Sequence, residues 1–419
     1  MGGNAFNASH PEATFPRMSP SVYHLAKTQI QAALQPLYEH VATPAEAPQK
    51  ADHGDIDFLV CFPKSDVTTE HIHAALGAVW SIPKKGTSHF ALPWDTIAGR
   101  HTDELSRPGD HIQVDVYIAD DFAQFERVRF CHSYGDLTMI LGLMARSCRL
   151  SLGSNGLRLA NPVPTSPPFT FHLSSSFPEI LIFFGLTMSR WSEGFTTQDE
   201  IFEWISSSPY YNPGVMARSE SDHQGGRKAR EARGMYQNFL IYARRRTNGK
   251  ASVPDREAAM QTALQTFGRW DVYCRVLHVA AVKSHISASF TGKLVTEWTD
   301  AHGPPVRWLM DEVKKKLGGD QPDQDSLADF QESEQSEFII DPMHRTLCAW
   351  QIGMGAMNIL AIRTLVEQVK EEMDKDGRLE FDWKEAKLKR EAERKAALAA
   401  GTTSSPISLD DASSGQALN

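Results

Sequence analysis

From residue 22 onward, apolar side chains return at Val22, Leu25, Ala26, Ile30, Ala33, Leu34, Leu37 and Val41, the spacing of one face of a helix. Ser19-Pro20 supplies the cap and first-turn proline that start it, and Pro36 is expected to kink or end it. Residues 42–52 turn rich in proline and alanine, which predicts a connection. After His53-Gly54, the run Ile56, Phe58, Leu59, Val60 and Cys61 reads as a buried strand ending at Pro63. Residues 68–80 place Ile72, Leu76, Val79 and Trp80 on one stripe and predict a second helix. Residues 86–92 and 110–119 alternate or run apolar, as strands do. Gly135-Asp136 opens a helix over 137–150, followed by a hairpin-like stretch at 150–159 and a Pro-rich connector at 161–169.

Past that connector, residues 176–186, 197–206, 233–245, 256–283, 293–317 and 337–374 carry mostly helical periodicity. The pattern predicts an α+β protein. Residues 1–160 form a domain with a small mixed or antiparallel sheet flanked by helices, and residues 170–375 form an α-helical domain that closes over a cleft. Residues 318–336 are acidic and poor in apolar side chains, which predicts a mobile loop. In the final stretch, 376–419, the pattern predicts a charged, solvated helix and then a disordered tail.

Hydrophobic content of 41% and charged content of 23% are those of an ordinary globular chain. The longest apolar runs, such as 180–186, fall short of the roughly 18 residues that a transmembrane helix needs, and residues 1–17 lack the apolar core of a secretory signal. No membrane partner and a cytoplasmic or nuclear location are expected. The five cysteines lack any CxxC pair and read as reduced, buried thiols. A net charge of −9 argues against nonspecific nucleic-acid binding by the whole surface, though not against a local basic site.

The chemistry concentrates in the acidic residues of two strands. In Gly54-Asp55-Ile56-Asp57-Phe58, alternation turns Asp55 and Asp57 to one face while Ile56 and Phe58 face the other. In Ile112-Gln113-Val114-Asp115-Val116, the same arithmetic turns Asp115 away from the apolar side. If the strands are neighbours, three carboxylates meet. Such crowding on an apolar sheet is costly unless a cation neutralises it, and oxygen ligands of this kind suit Mg²⁺ or Mn²⁺. Two such ions about 3.5–4 Å apart clamp the attacking and leaving oxygens of an in-line displacement, and a third carboxylate can accept the proton of an attacking hydroxyl. The plainer reading is an Asp-x-Asp that merely turns the chain after a glycine.

Residues 227–246 form a second candidate, with seven basic side chains against the single acid Glu231. Arg230 and Arg233 are the preferred contacts for phosphates of a nucleotide or nucleic acid, with Tyr236 and Tyr242 available to stack; a solvated helix face is the alternative. Sixteen histidines show no zinc-type spacing, and His53 stands out only for preceding Gly54-Asp55. Ser154-Asn155-Gly156 lacks the Lys-Ser/Thr of a phosphate loop and reads as a tight turn. Trp191, Trp204, Trp270, Trp298 and Trp308 are expected in the core.

With Asp55, Asp57 and Asp115 at its three acidic positions, the chain resembles the DNA polymerase β-like nucleotidyltransferase superfamily, in the branch found in fungi and phages. Met1-Gly2-Gly3-Asn4-Ala5-Phe6, Ser133-Tyr134-Gly135-Asp136-Leu137 and Trp191-Ser192-Glu193-Gly194-Phe195 carry the resemblance on to about residue 210. It implies a nucleotidyltransferase-like fold and metal-dependent transfer of a nucleoside monophosphate from an NTP to an unidentified hydroxyl acceptor. In that scheme Asp55 and Asp57 hold the metals, Asp115 ligates one and assists the hydroxyl, and Lys50, Arg230 and Arg233 contact phosphates. The superfamily's Gly-Ser turn before the Asp-x-Asp is missing: Ala45-Glu46-Ala47 stands there, and a glutamate repels a triphosphate, an effect that Lys50 partly offsets. This departure leaves open a catalytically inactive protein that binds nucleotide, nucleic acid or a protein partner through the same cleft.

Overall fold

The computed structural model describes residues 3–98, 109–165, 167–214, 216, 230–246, 255–322, 338, 340–381, 388, 391 and 392. The chain forms two compact units, Met1–Leu277 with Glu332–Asp341, and His278–Gln331 with Pro342–Asn419. The division falls inside the helix Trp270–Ser289. The Pro-rich connector at 161–169 lies within the first unit, where Val163 is buried in its largest core cluster and its N–H donates to the Phe169 carbonyl.

The first unit is built around a five-stranded mixed sheet. In chain order its strands are β1 (Tyr38–Ala42), β2 (Asp55–Pro63), β3 (Trp80–Ile82), β4 (Thr87–Pro93) and β5 (His111–Ile118), arranged β1-β2-β5-β4-β3. Only β2 and β5 run parallel; the other pairs are antiparallel. One face packs against helix α1 (Pro20–Leu34), with α2 (Thr69–Leu76) and α3 (Trp94–Ala98) alongside. Val22, Tyr23, Ala26 and Ile30 meet Ile56, Phe58, Val60, Val114 and Val116 there, all buried. On the other face Leu59 and Cys61, in line with Asp55 and Asp57, are covered by Phe125 and Val128 of α4 (Phe122–His132). Helix α4 thus seals the far end of that face and leaves its acidic beginning open.

Three elements differ from the sequence pattern. Helix α1 stops at Leu34, close to its expected end at Pro36, but after a turn that holds Leu37 the chain forms β1 and not more helix, with Tyr38 opposite Pro63 and Val41 opposite Val60. Leu37 and Val41 stand four apart, a separation that also fits two strand periods, and Pro36 cannot donate to a helical ladder. Helix α2 ends at Leu76 because Gly77 takes the left-handed conformation (φ 62°), and Trp80 then begins β3. Helix α4 had no counterpart in the expected pattern; Asp121 caps it by accepting from the Gln124 N–H at 2.6 Å.

The rest of the unit joins helix α5 (Leu137–Ser147), a three-stranded antiparallel sheet of β6 (Leu150–Gly153), β7 (Gly156–Leu159) and β8 (His172–Ser174), and helices α6 (Phe177–Phe183), α7 (Met188–Glu193), α8 (Gln198–Ser206), α9 (Gly234–Arg245) and α10 (Arg256–Thr266). Ser154-Asn155 makes the expected tight turn between β6 and β7. Gly156 follows it at φ 93°, where a Cβ would stand 2.2 Å from the Ser174 carbonyl oxygen.

The second unit is helical: Gly292–Thr299, Pro304–Lys316, Pro342–Arg345, Ala349–Gly355 and Ile359–Lys375 surround Val295, Leu309, Val313, Ile362, Val366 and Val369. The acidic loop expected at 318–336 lies outside the described residues from 323 on, as does nearly all of the expected charged helix and tail. All five cysteines are free, but only Cys61 and Cys148 are buried; Cys131 and Cys348 are half-buried and Cys274 is exposed. Trp308 is also 37% exposed rather than in the core, set edge-on to Phe381. Among the described residues no helix is long and apolar enough to cross a membrane.

Candidate active site

The parallel pairing of β2 with β5 sets Asp57 directly opposite Asp115 and Asp55 opposite Gln113. Neighbouring strands lie about 4.7–4.9 Å apart, so the three carboxylates spring from adjoining positions on one face of the sheet. Helix α1 and the buried row Ile56, Phe58, Val114 and Val116 fill the opposite face, which fixes the side to which the aspartates turn.

Asp115 is held firmly. Its Oδ1 accepts from Gln113 Nε2 at 2.9 Å and lies 2.7 Å from Nδ1 of His89, its antiparallel partner on β4. Gln113 is in turn gripped by the amino-terminal segment, whose Ala5 N–H donates to its Oε1 at 2.9 Å. The Gly3 backbone N–H donates to Asp55. Gly3 has φ 79°, and a Cβ on it would stand 2.8 Å from the Gly54 carbonyl oxygen, so only glycine passes there.

The pair Asp55 and Asp57 is electrostatically frustrated. Desolvation by the surrounding protein, then the charges of Asp55 and Asp115, push the Asp57 carboxyl up to about 7, although the residue is exposed where it lines the cavity. Burial and Asp115 raise the Asp55 carboxyl as well, with Lys50 opposing the rise. Among the described residues, Lys50 offsets the rise at both aspartates without cancelling it.

Residues 44–50 are bolted to the turn before α5. The Ala45 carbonyl accepts from the Tyr134 N–H at 2.7 Å, and the Ala45 N–H donates to Ser133 Oγ at 3.0 Å. Tyr134 and Gly135 are both left-handed (φ 59° and 67°), and a Cβ on Gly135 would come within 2.8 Å of Ala47 Cβ. Glu46 is the hub of the loop. It accepts from the buried Tyr23 hydroxyl and from Lys50 Nζ at 3.1 Å. Burial opposes its ionisation, but Tyr23 and Lys50 outweigh that and hold the carboxyl below its ordinary range. His53 stacks on Tyr23 with ring centroids 3.8 Å apart, and burial, then Lys50, push it down to about 4, so it is neutral near pH 7. Its Nδ1 lies 3.3 Å from Glu46 without hydrogen-bond geometry.

A cavity of about 1060 Å³ opens over Asp55 and Asp57. Lys50, Arg230 and Arg233 line it, joined by Glu46, Arg17, Asp136 and the side of α5. Arg233 donates to Asp136 Oδ1 at 3.0 Å, and Asp136 Oδ2 accepts from the Tyr236 N–H at 3.1 Å, which fixes the start of α9. Arg17 pairs with Asp52 at 2.6 Å. Asp115 does not line the cavity; it is turned toward His89 and Gln113. Among the described residues no group of three or more His, Cys, Asp or Glu side chains is arranged to hold a metal ion as it stands. Arg227 and Lys228 of the basic segment lie outside the described residues.

Sequence reasoning missed His89, Gln113, Tyr23 and Asp136 as parts of this region. The inward period of residues 86–92 held a clue for His89, while the others depend on contacts 23 to 108 residues away along the chain. No protein-family model matches this chain, and no curated protein does.

Proposed function

We propose that the first unit is a metal-dependent nucleotidyltransferase that moves a nucleoside monophosphate from an NTP to a hydroxyl acceptor. The observation that carries this reading is the placement of Asp55 and Asp57 at the floor of a cavity lined by Lys50, Arg230 and Arg233, with Asp115 opposite Asp57 on the adjoining strand. The donor types suit Mg²⁺ or Mn²⁺: Asp55 and Asp57, raised first by burial and then by like charge, are hard oxygen ligands, and Asp115 would join them by turning from His89 and Gln113. Asp55, Asp57 and Asp115 would hold the metal, which when bound supplies charge neutralisation to the transferring phosphoryl oxygens.

The remaining work falls to the chain itself. Lys50, Arg230 and Arg233 orient the triphosphate by charge and hydrogen bonds. Asp115 takes the proton of the acceptor hydroxyl, and His89, 2.7 Å away, stands next in line to receive it. Asp136 keeps Arg233 at the cavity wall.

A second reading, binding without catalysis, draws support from Glu46. Its carboxylate lines the same cavity and already occupies Lys50, so a triphosphate must compete with it. Pyrophosphate release from each NTP with Mg²⁺ or Mn²⁺ separates the two. Transfer predicts metal-dependent release that Asp55→Ala and Asp57→Ala abolish. NTP binding without release, in wild type as in the variants, favours the second reading.

A further inference from the structure

The cavity is larger than its acidic floor requires and continues along one side of α5. Thr138, Gly142 and Arg146 line it at intervals of four residues, a single stripe of the helix about 12 Å long at the usual rise per residue. Most of the remaining residues of α5 are buried Leu, Ile, Met and Ala. Gly142 is therefore anomalous, since a glycine in mid-helix costs about 1 kcal/mol relative to alanine. Its effect is local. Long side chains in helices lean back over the preceding turn, and Arg146 Nη1 lies 3.7 Å from where a Gly142 Cβ would stand. The guanidinium thus lies along the bare flank of the glycine, within the cavity wall, with Met139 and Leu152 as apolar neighbours in the lining.

A planar cation beside apolar surface is a stacking platform for a nucleobase. We infer that the Thr138–Gly142–Arg146 stripe is the nucleoside end of the cavity, where the base of the nucleotide stacks on the Arg146 guanidinium while its phosphates lie at the Lys50 and Arg233 end. The inference rests on the reading that an NTP occupies the cavity. Arg146 is then a determinant of base recognition, and because stacking grows with ring area, purine nucleotides bind more tightly than pyrimidine ones.

Calorimetric binding of ATP, GTP, CTP, UTP and inorganic tripolyphosphate, each with Mg²⁺, to the full chain and to its Arg146→Met and Arg146→Lys variants tests it. Base stacking on a side chain contributes on the order of a tenfold change in affinity. Arg146→Met is expected to weaken the purine nucleotides by about that factor and to leave tripolyphosphate unchanged. Arg146→Lys keeps the charge but loses the plane, and is expected to fail to restore binding. Equal loss of tripolyphosphate would make Arg146 a phosphate contact and overturn the inference, as would full rescue by lysine or nucleotide binding indifferent to both variants. If the wild type binds tripolyphosphate but no NTP more tightly, the nucleoside subsite is refuted while the phosphate end stands. If it binds neither, the NTP reading falls and the inference with it. Should the methionine variant fail to fold by circular dichroism, the lysine variant decides by the same comparison.

Discussion

Replacing Asp57 by asparagine should stabilise the metal-free protein, and the gain should depend on pH. The folded state pushes the Asp57 carboxyl from its ordinary 3.8 up to about 7, through burial and the neighbouring charges of Asp55 and Asp115. A difference of about 3 in pKa corresponds to roughly 4 kcal/mol at 1.36 kcal/mol per pKa unit. Asp57 faces cavity water, which screens part of this, so about 1–2 kcal/mol is the expected penalty of the ionised carboxylate. With the folded pKa above the unfolded one, the folded state binds the extra proton between pH 4 and 7. The Asp57 contribution is thus fully present below about pH 4, is lost as pH rises toward 7, and stays lost above it. Asparagine keeps the size and carries no charge. Its melting temperature should match wild type near pH 4 and exceed it by about 2–4 °C at pH 8, measured by differential scanning calorimetry in EDTA. Saturating Mg²⁺ or Mn²⁺ should narrow that gap by raising the wild type more than the variant. A gap that does not grow between pH 4 and 8, or a variant less stable than wild type in EDTA, would refute the claim that the carboxylates are crowded and uncompensated.

Other expectations follow from the same geometry. Asp136→Ala strands Arg233 and the buried Tyr236 N–H and should cost about 1–3 kcal/mol, read from the urea midpoint. Gly135→Ala must relieve a 2.8 Å approach to Ala47 at a left-handed backbone position, so it should destabilise by about 1–2 kcal/mol or more and loosen residues 44–50, seen as faster hydrogen exchange at Ala45. Glu46→Gln releases Lys50 and removes a negative charge from the cavity, and should tighten tripolyphosphate binding several-fold; unchanged binding would mean that Lys50 does not reach the phosphates.

The acidic face of this protein is written in its sequence because the side-chain period of a strand is a local property. Asp55 and Asp57 must share a face, and Val114 and Val116 must turn Asp115 away from the core. Helix starts at Ser19 and Thr197 were legible for the same reason: a cap bonds within its own first turn. Tertiary structure decided what depends on partners distant in the chain. Local spacing could not tell whether Val41 belongs to a helix or to a strand, and the edge of β2 settled it. The parallel neighbouring of β2 and β5 brought Asp57 to Asp115, while His89, Gln113 and the amino-terminal segment turned Asp115 aside. The docking of residues 44–50 on the Ser133–Gly135 turn, and the pairing of each of Arg17, Lys50 and Arg233 with an acid, likewise came only from the packed chain. Burial and charge proximity are sums over all surrounding atoms, and those sums exist only once the chain has closed on itself.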